Sequence, residues 1–182
     1  DEGSNLGAIR IRLRSLLFVM NHRKTTRVEH TKPYSYHKAV FTKEDKKTHT
    51  ILAPEMTPIH FPLFKAAFAH EGYKMELLPH QGQEAIDTGL SFIHNDACYP
   101  AIMSLGQIMT ALRSGKYDLN RTSVIISQTG GCCRATNYIG MLRKALADAN
   151  MPQIPIISLN TKGLNEQPGF KPSLGFWHRL LQ

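Results

Sequence analysis

From Thr48 onward, short runs of β-branched and aliphatic residues alternate with longer segments of helical periodicity. This alternation constrains the fold more than any other feature of the chain. Residues 49–53, 74–78, 123–127 and 154–159 are apolar runs of strand length. Helical spacing is expected over 58–70, where Phe61, Phe64 and Phe68 recur on one face before Gly72 stops the pattern. It is expected again over 83–90, over 99–114 up to Gly115, and over 136–149. Short strands separated by helices imply a parallel sheet buried on both faces. The expected fold class is therefore α/β: a Rossmann-like three-layer domain with a mainly parallel sheet of about four strands. In such sheets ligands sit at the carboxyl ends of the strands, where the strand order reverses.

The ends of the chain differ from this core. Residues 1–47 read as a basic N-terminal helix and linker arm, 48–172 as the α/β domain, and 173–182 as a short C-terminal helix or tail. Within the arm, Leu6, Ile9, Leu13, Leu16, Leu17 and Met20 fit one face of a helix. Residues 21–47 are polar and basic, with Pro33 and scattered tyrosines, and read as loop or weak strand. The net charge of +8 is uneven: residues 1–50 carry 11 Lys+Arg against 5 Asp+Glu, and the remainder 11 against 9. Nucleic acid or an acidic partner surface is one reading of that excess, and a solvated linker is the plainer one. The arm has no basic stripe interleaved with aromatics and no nucleic-acid-binding motif, so no nucleic-acid partner is expected.

No apolar run approaches the roughly 20 residues of a membrane helix. Leu16-Leu17-Phe18-Val19-Met20 is short, flanked by arginines, and followed by no small-residue cleavage site. A cytoplasmic protein without membrane contact is expected. Three cysteines, two of them adjacent, do not make a disulfide framework, so reduced thiols are expected. The nine histidines show no metal-ligand spacing, and no Walker A loop, GxGxxG or GxSxG sequence is present.

The chemistry-bearing stretch is Gln128-Thr129-Gly130-Gly131-Cys132-Cys133-Arg134-Ala135-Thr136-Asn137-Tyr138. It follows the run Val124-Ile125-Ile126 and precedes a helical pattern, so it reads as a strand-to-helix turn. Gly130 and Gly131 let the backbone turn tightly, and the helix start supplies N–H groups and positive potential. Such a place binds an anion or holds thiolates that bind a metal. Cys98, in Asn95-Asp96-Ala97-Cys98-Tyr99-Pro100, is expected in the first turn of another helix, capped by Asn95 or Asp96. Cys98 and Cys133 would then share one rim of the sheet, suited to an iron–sulfur cluster or a zinc ion. Buried, inert thiols are the plain alternative. Arg134 reads as a partner for a phosphate, a carboxylate or a thiolate-bound cluster, or as a local salt bridge. Thr136 and Asn137 read as caps, and Glu55 with His60 as a surface pair beside the first strand end.

The segment from Thr50 to about Lys171 resembles part of the large 2-hydroxyacyl-CoA dehydratase activase-related proteins. The resemblance is carried by Ile51-Leu52-Ala53-Pro54-Glu55-Met56, Pro58-Ile59-His60-Phe61, Asn95 through Pro100, Ser114-Gly115-Lys116-Tyr117-Asp118-Leu119, and Gln128 through Tyr138. It implies a dehydratase-like portion of a multidomain protein used in anaerobic metabolism. Its partners would be activator-type ATPase domains of a larger chain and a dehydratase or reductase. ATP hydrolysis there drives low-potential electron transfer. The resemblance further implies that Cys98 and Cys133 ligate an iron–sulfur cluster of the 4Fe-4S kind, with a further cysteine beyond Gln182. Cys132 stands where the family pattern has glycine. The chain alone would then be an inactive piece of an ATP-dependent reductase or activase system. A non-catalytic scaffold, and a phosphate- or CoA-binding module using the Gly130–Arg134 turn, are the competing expectations.

Overall fold

The structure is a computed structural model that describes residues 6–25, 37–79, 82–160 and 163–172. The chain divides into two compact units, residues 1–35 and 36–182. The first contains one helix, α1 (Leu6–Thr25). It runs five residues past Met20, and its last turn carries His22, Arg23 and Lys24, which complement the helix dipole.

The second unit runs α2 (Asp45–Thr48), β1 (Thr50–Pro54), α3 (His60–His70), β2 (Lys74–Leu78), α4 (Gly82–Phe92), α5 (Tyr99–Arg113), β3 (Thr122–Ser127), α6 (Tyr138–Asp148) and β4 (Ile156–Leu159). The strands form one all-parallel sheet in the order β2-β1-β3-β4. The α/β, Rossmann-like fold class read from the sequence is the one observed. The expected amphipathic piece at 176–181 lies outside the described residues.

Alternation along each strand divides the core between two faces. Ile51, Ala53, Met75, Ile125 and Ile157 point to the side covered by Phe61, Phe64 and Phe68 of α3. Leu52, Leu78, Val124, Ile126 and Ile156 point to the side covered by α5 and α6. Helix α5 is buried from Ala101 to Leu112, so it reads as apolar nearly all round. It packs against α4 through two small residues. A Cβ on Gly106 would collide with the Ala85 carbonyl oxygen, and one on Gly89 with the Ile102 carbonyl oxygen. This close approach fixes the start of α5, where Cys98 stands.

The α3 face also draws on residues upstream of β1. Phe41 is fully buried, its N–H bonds to Gln167 Oε1 at 3.0 Å, and its carbonyl accepts the Gly169 N–H at 2.8 Å. Polar composition hides this, because the short run Ala39-Val40-Phe41 is flanked by lysines and threonines.

The strand order places the site. The β1–α3–β2 crossover goes to one side of β1, and β3–α6–β4 goes to the other side of β3, with its helix on the opposite face. The order reverses between β1 and β3. The loops that leave these two strands therefore flank a crevice at the carboxyl edge.

Candidate functional site

Both loops at the switch point are tied down. Ser127 at the end of β3 donates from Oγ to the Met56 sulfur at 3.4 Å, joining the loop after β1 to the loop after β3. The Glu55 N–H bonds to Oε1 of the buried Gln107 on α5 at 3.2 Å. His60, the first residue of α3, is exposed.

Buried Gln128 organises the turn after β3. Its Nε2 donates to the Thr136 carbonyl at 2.8 Å, while its Oε1 accepts from Ser158 Oγ at 2.8 Å and Asn165 Nδ2 at 3.1 Å. The Thr136 hydroxyl donates to the Gly131 carbonyl at 2.7 Å and lies 3.2 Å from the Thr129 hydroxyl. Thr136 thus clasps the loop across its neck rather than capping α6. Gly130 has φ +66°, a conformation that glycine adopts without strain. At Gly131 a Cβ would meet open space, so its local geometry does not demand glycine.

Cys133 is the N-cap of a 3-10 turn, Arg134–Asn137, that leads directly into α6. Cys98 is the N-cap of α5, with Pro100 in the first turn, and its carbonyl accepts the Ala101 N–H at 2.9 Å. The cap is therefore the cysteine and not Asn95 or Asp96. The Asp96 N–H turns instead to His94 Nδ1 at 3.2 Å, closing a local turn ahead of the helix. Both expected thiols stand at helix starts on the carboxyl rim.

Arg134 and Tyr138 join these two helix starts. The Arg134 guanidinium donates to the Asp96 carbonyl oxygen, linking the Cys133 turn to the loop before Cys98. Among the described residues Arg134 forms no salt bridge. Tyr138, the first residue of α6, is buried, and its hydroxyl lies 3.3 Å from the Cys98 sulfur. That hydrogen bond is the main force lowering the Cys98 thiol pKa; burial opposes it, and the Ala101 N–H and the Arg134 charge add to it. The Tyr138 phenol is pushed well above its ordinary range, first by burial, then by its bond to Cys98 and by the charges of Cys98 and Cys133. Sequence spacing assigned Tyr138 no role, because a Tyr at the start of a helix reads as core.

The cysteines are all free; Cys98 is half-buried, and Cys132 and Cys133 are exposed. Among the described residues no group of three or more His, Cys, Asp and Glu side chains gathers in ligand geometry. Cys132 does not complete a third position beside Cys98 and Cys133. A cavity of about 500 Å³ opens on the far side of Arg134, between Phe92, Ile93 and Ala97 before α5 and Met141 on α6. A larger one, about 860 Å³, lies beside β4 under Gln167 and Phe170, and neither cysteine lines it.

No family model matches this chain, and no curated protein or solved structure matches it. Two thiols stand at helix starts, and that of Cys98 is biased toward thiolate. No helix among the described residues is long and apolar enough to cross a membrane.

Proposed function

We propose that this chain is a thiolate module of a low-potential electron-transfer protein, with Cys98 and Cys133 holding one side of an iron–sulfur cluster. The observation that supports the reading is that Cys98 and Cys133 each cap a helical turn, Cys98 in contact with Tyr138 at 3.3 Å and the Cys133 turn tied by Arg134 to the loop before Cys98. The resemblance to the 2-hydroxyacyl-CoA dehydratase activase-related proteins, carried by the motifs around these two cysteines, points the same way.

The donor set fits half of such a cluster. Iron–sulfur clusters take Cys thiolates, commonly four. Cys98 and Cys133 provide two, and the remaining positions belong to another domain, another subunit or a non-protein ligand. When bound, the cluster supplies one-electron chemistry at low potential. The residues of this chain do the rest. With Cys98 bound as thiolate, the Tyr138 hydroxyl would donate to its sulfur; outer hydrogen bonds of this kind orient ligands and tune the metal. Arg134 places a fixed positive charge beside the thiolates and keeps the two helix starts in register. Gly130, at φ +66°, turns the backbone at the rim without strain, and its turn with Gly131 would supply backbone N–H groups toward the cluster's negative charge. Activator-type ATPase domains and a dehydratase or reductase are the partners that this reading requires.

Anaerobic incubation with ferrous iron and sulfide tests the assignment. Broad visible absorbance is expected in the wild type and in Cys132→Ser, and its loss in Cys98→Ser and Cys133→Ser. Unchanged absorbance in both of the latter variants overturns it.

A second reading is favoured by the cavity behind Arg134, whose apolar wall and cationic edge suit an anion with a short apolar chain. On that reading the Gly130–Arg134 turn binds phosphate or a CoA ester. Titration calorimetry with CoA esters and ATP decides it, and no heat with any of them removes it.

A further inference from the structure

Helix α1 is apolar on two opposite sides and cationic between them. Ile9, Leu13, Leu16, Leu17 and Met20 form the broad side, each about half exposed. Ile11 and Phe18, 68 % and 70 % exposed, stand on the opposite side, where the Phe18 ring stacks on His22 at 6.1 Å. At 3.6 residues per turn, Arg12 and Arg23 lie along one boundary between the stripes, which Val19 shares, and Arg10 and Arg14 along the other, while Lys24 closes the broad side in the last turn. The expectation of a single apolar face is thus corrected: the six residues read from the sequence leave out Ile11 and Phe18, which project the other way. The helix contains no Asp or Glu at all.

Large apolar side chains exposed in this number on 20 residues mark an interaction surface. Three kinds of occupant meet it differently. In a second copy of α1, cationic boundaries would meet cationic boundaries, which disfavours self-pairing. An anionic membrane would take the broad stripe and the arginines but would leave Ile11 and Phe18 in water; a surface-lying helix needs one polar face. A protein surface with apolar seams bordered by carboxylates satisfies both stripes and both arginine rows. Ile9, Leu13, Leu16 and Met20 follow the 4-3-4 step of a helix-on-helix seam, with Arg10 and Arg12 at its flanks.

We propose that α1 is a docking helix for an acidic helical protein surface, its two apolar stripes enclosed by partner helices and its arginines paired with Asp or Glu at their edges. This stands independently of the cysteine site.

The test uses the full chain and two designed three-heptad helical peptides, both with Leu along the seam, one flanked by Glu and one by Lys. Fluorescence anisotropy should show binding of the Glu-flanked peptide only, roughly tenfold weaker when salt rises from about 0.05 M to about 0.5 M. Leu13→Ser with Leu16→Ser should abolish it. Arg10→Glu with Arg12→Glu, which keeps the seam, should transfer binding to the Lys-flanked peptide. Equal binding of both peptides, binding of neither, dimerisation of the free chain through α1, or tighter binding to phosphatidylserine vesicles than to the Glu-flanked peptide each overturns the proposal.

Discussion

The Tyr138 hydroxyl lies 3.3 Å from the Cys98 sulfur, across 40 residues of sequence. One group is the cap of α5 and the other is the first residue of α6, so the bond exists only if the two helices start side by side at the carboxyl edge of the sheet. The contact with this buried phenol lowers the Cys98 thiol pKa, and this links the packing of α5 and α6 to the chemistry of the rim.

Removal of that phenol should be visible in thiol reactivity. In Cys132→Ser, Cys133→Ser protein, Cys98 alkylation followed against pH should have its midpoint below the ordinary thiol value. Tyr138→Phe should move the midpoint up and slow alkylation at neutral pH. An unchanged profile would mean that the hydrogen bond does not govern the thiol.

The same bond has a stability consequence of fixed sign. A thiol pKa lowered by folding means that the unfolded chain binds more protons through the window between the folded and unfolded values. The contribution of Cys98 is therefore complete above the unfolded thiol pKa and is lost as pH falls through the folded one. The stability difference between wild type and Cys98→Ser in urea melts should grow as pH rises through that window. A difference that shrinks would contradict the assignment.

Gly106→Ala should destabilise the fold by about 1–3 kcal/mol, since the added methyl meets the Ala85 backbone and not a movable side chain. Thermal unfolding checks this. The variant should also lose cluster-forming ability beyond its loss of stability, because α4 holds α5 at the position that presents Cys98.

Ser123→Ala tests the opposite edge of the sheet. Ser123 is fully buried, and its hydroxyl lies 2.7 Å from Nδ1 of His49, whose Nε2 is 3.2 Å from Asp45 Oδ1. This relay joins β3 to the start of β1 and to α2, at the amino ends of the strands. Its loss leaves the buried His49 nitrogen unpaired, at an expected cost of about 1–3 kcal/mol. Iron incorporation at the carboxyl edge should be unaffected in the folded fraction.

The parallel sheet was legible because each strand is a compact apolar run and each helix carries its own period. Gly72 and Gly115, both at positive φ, punctuate helix ends as glycine does elsewhere. That Cys98 and Cys133 each stand just ahead of a helical turn was legible from the motifs around them. Other features depend on contacts between segments distant in sequence and leave no local trace. Phe41 reaches the core from a polar stretch through Gln167, 126 residues away. Tyr138 meets Cys98 only through the packing of two helices. The 3-10 turn that delays α6 to Tyr138 has no apolar period to announce it. In α1 the opposing stripes cancel in any one-face reading, so the second was missed.

The central claim is that Cys98 and Cys133 act together as cluster ligands while Cys132 stands aside. Electron paramagnetic resonance of the anaerobically reconstituted, dithionite-reduced protein tests it most directly. An iron–sulfur signal is expected in wild type and in Cys132→Ser, and none in Cys98→Ser or Cys133→Ser. A signal that survives in both of those variants, or disappears in Cys132→Ser alone, would contradict it.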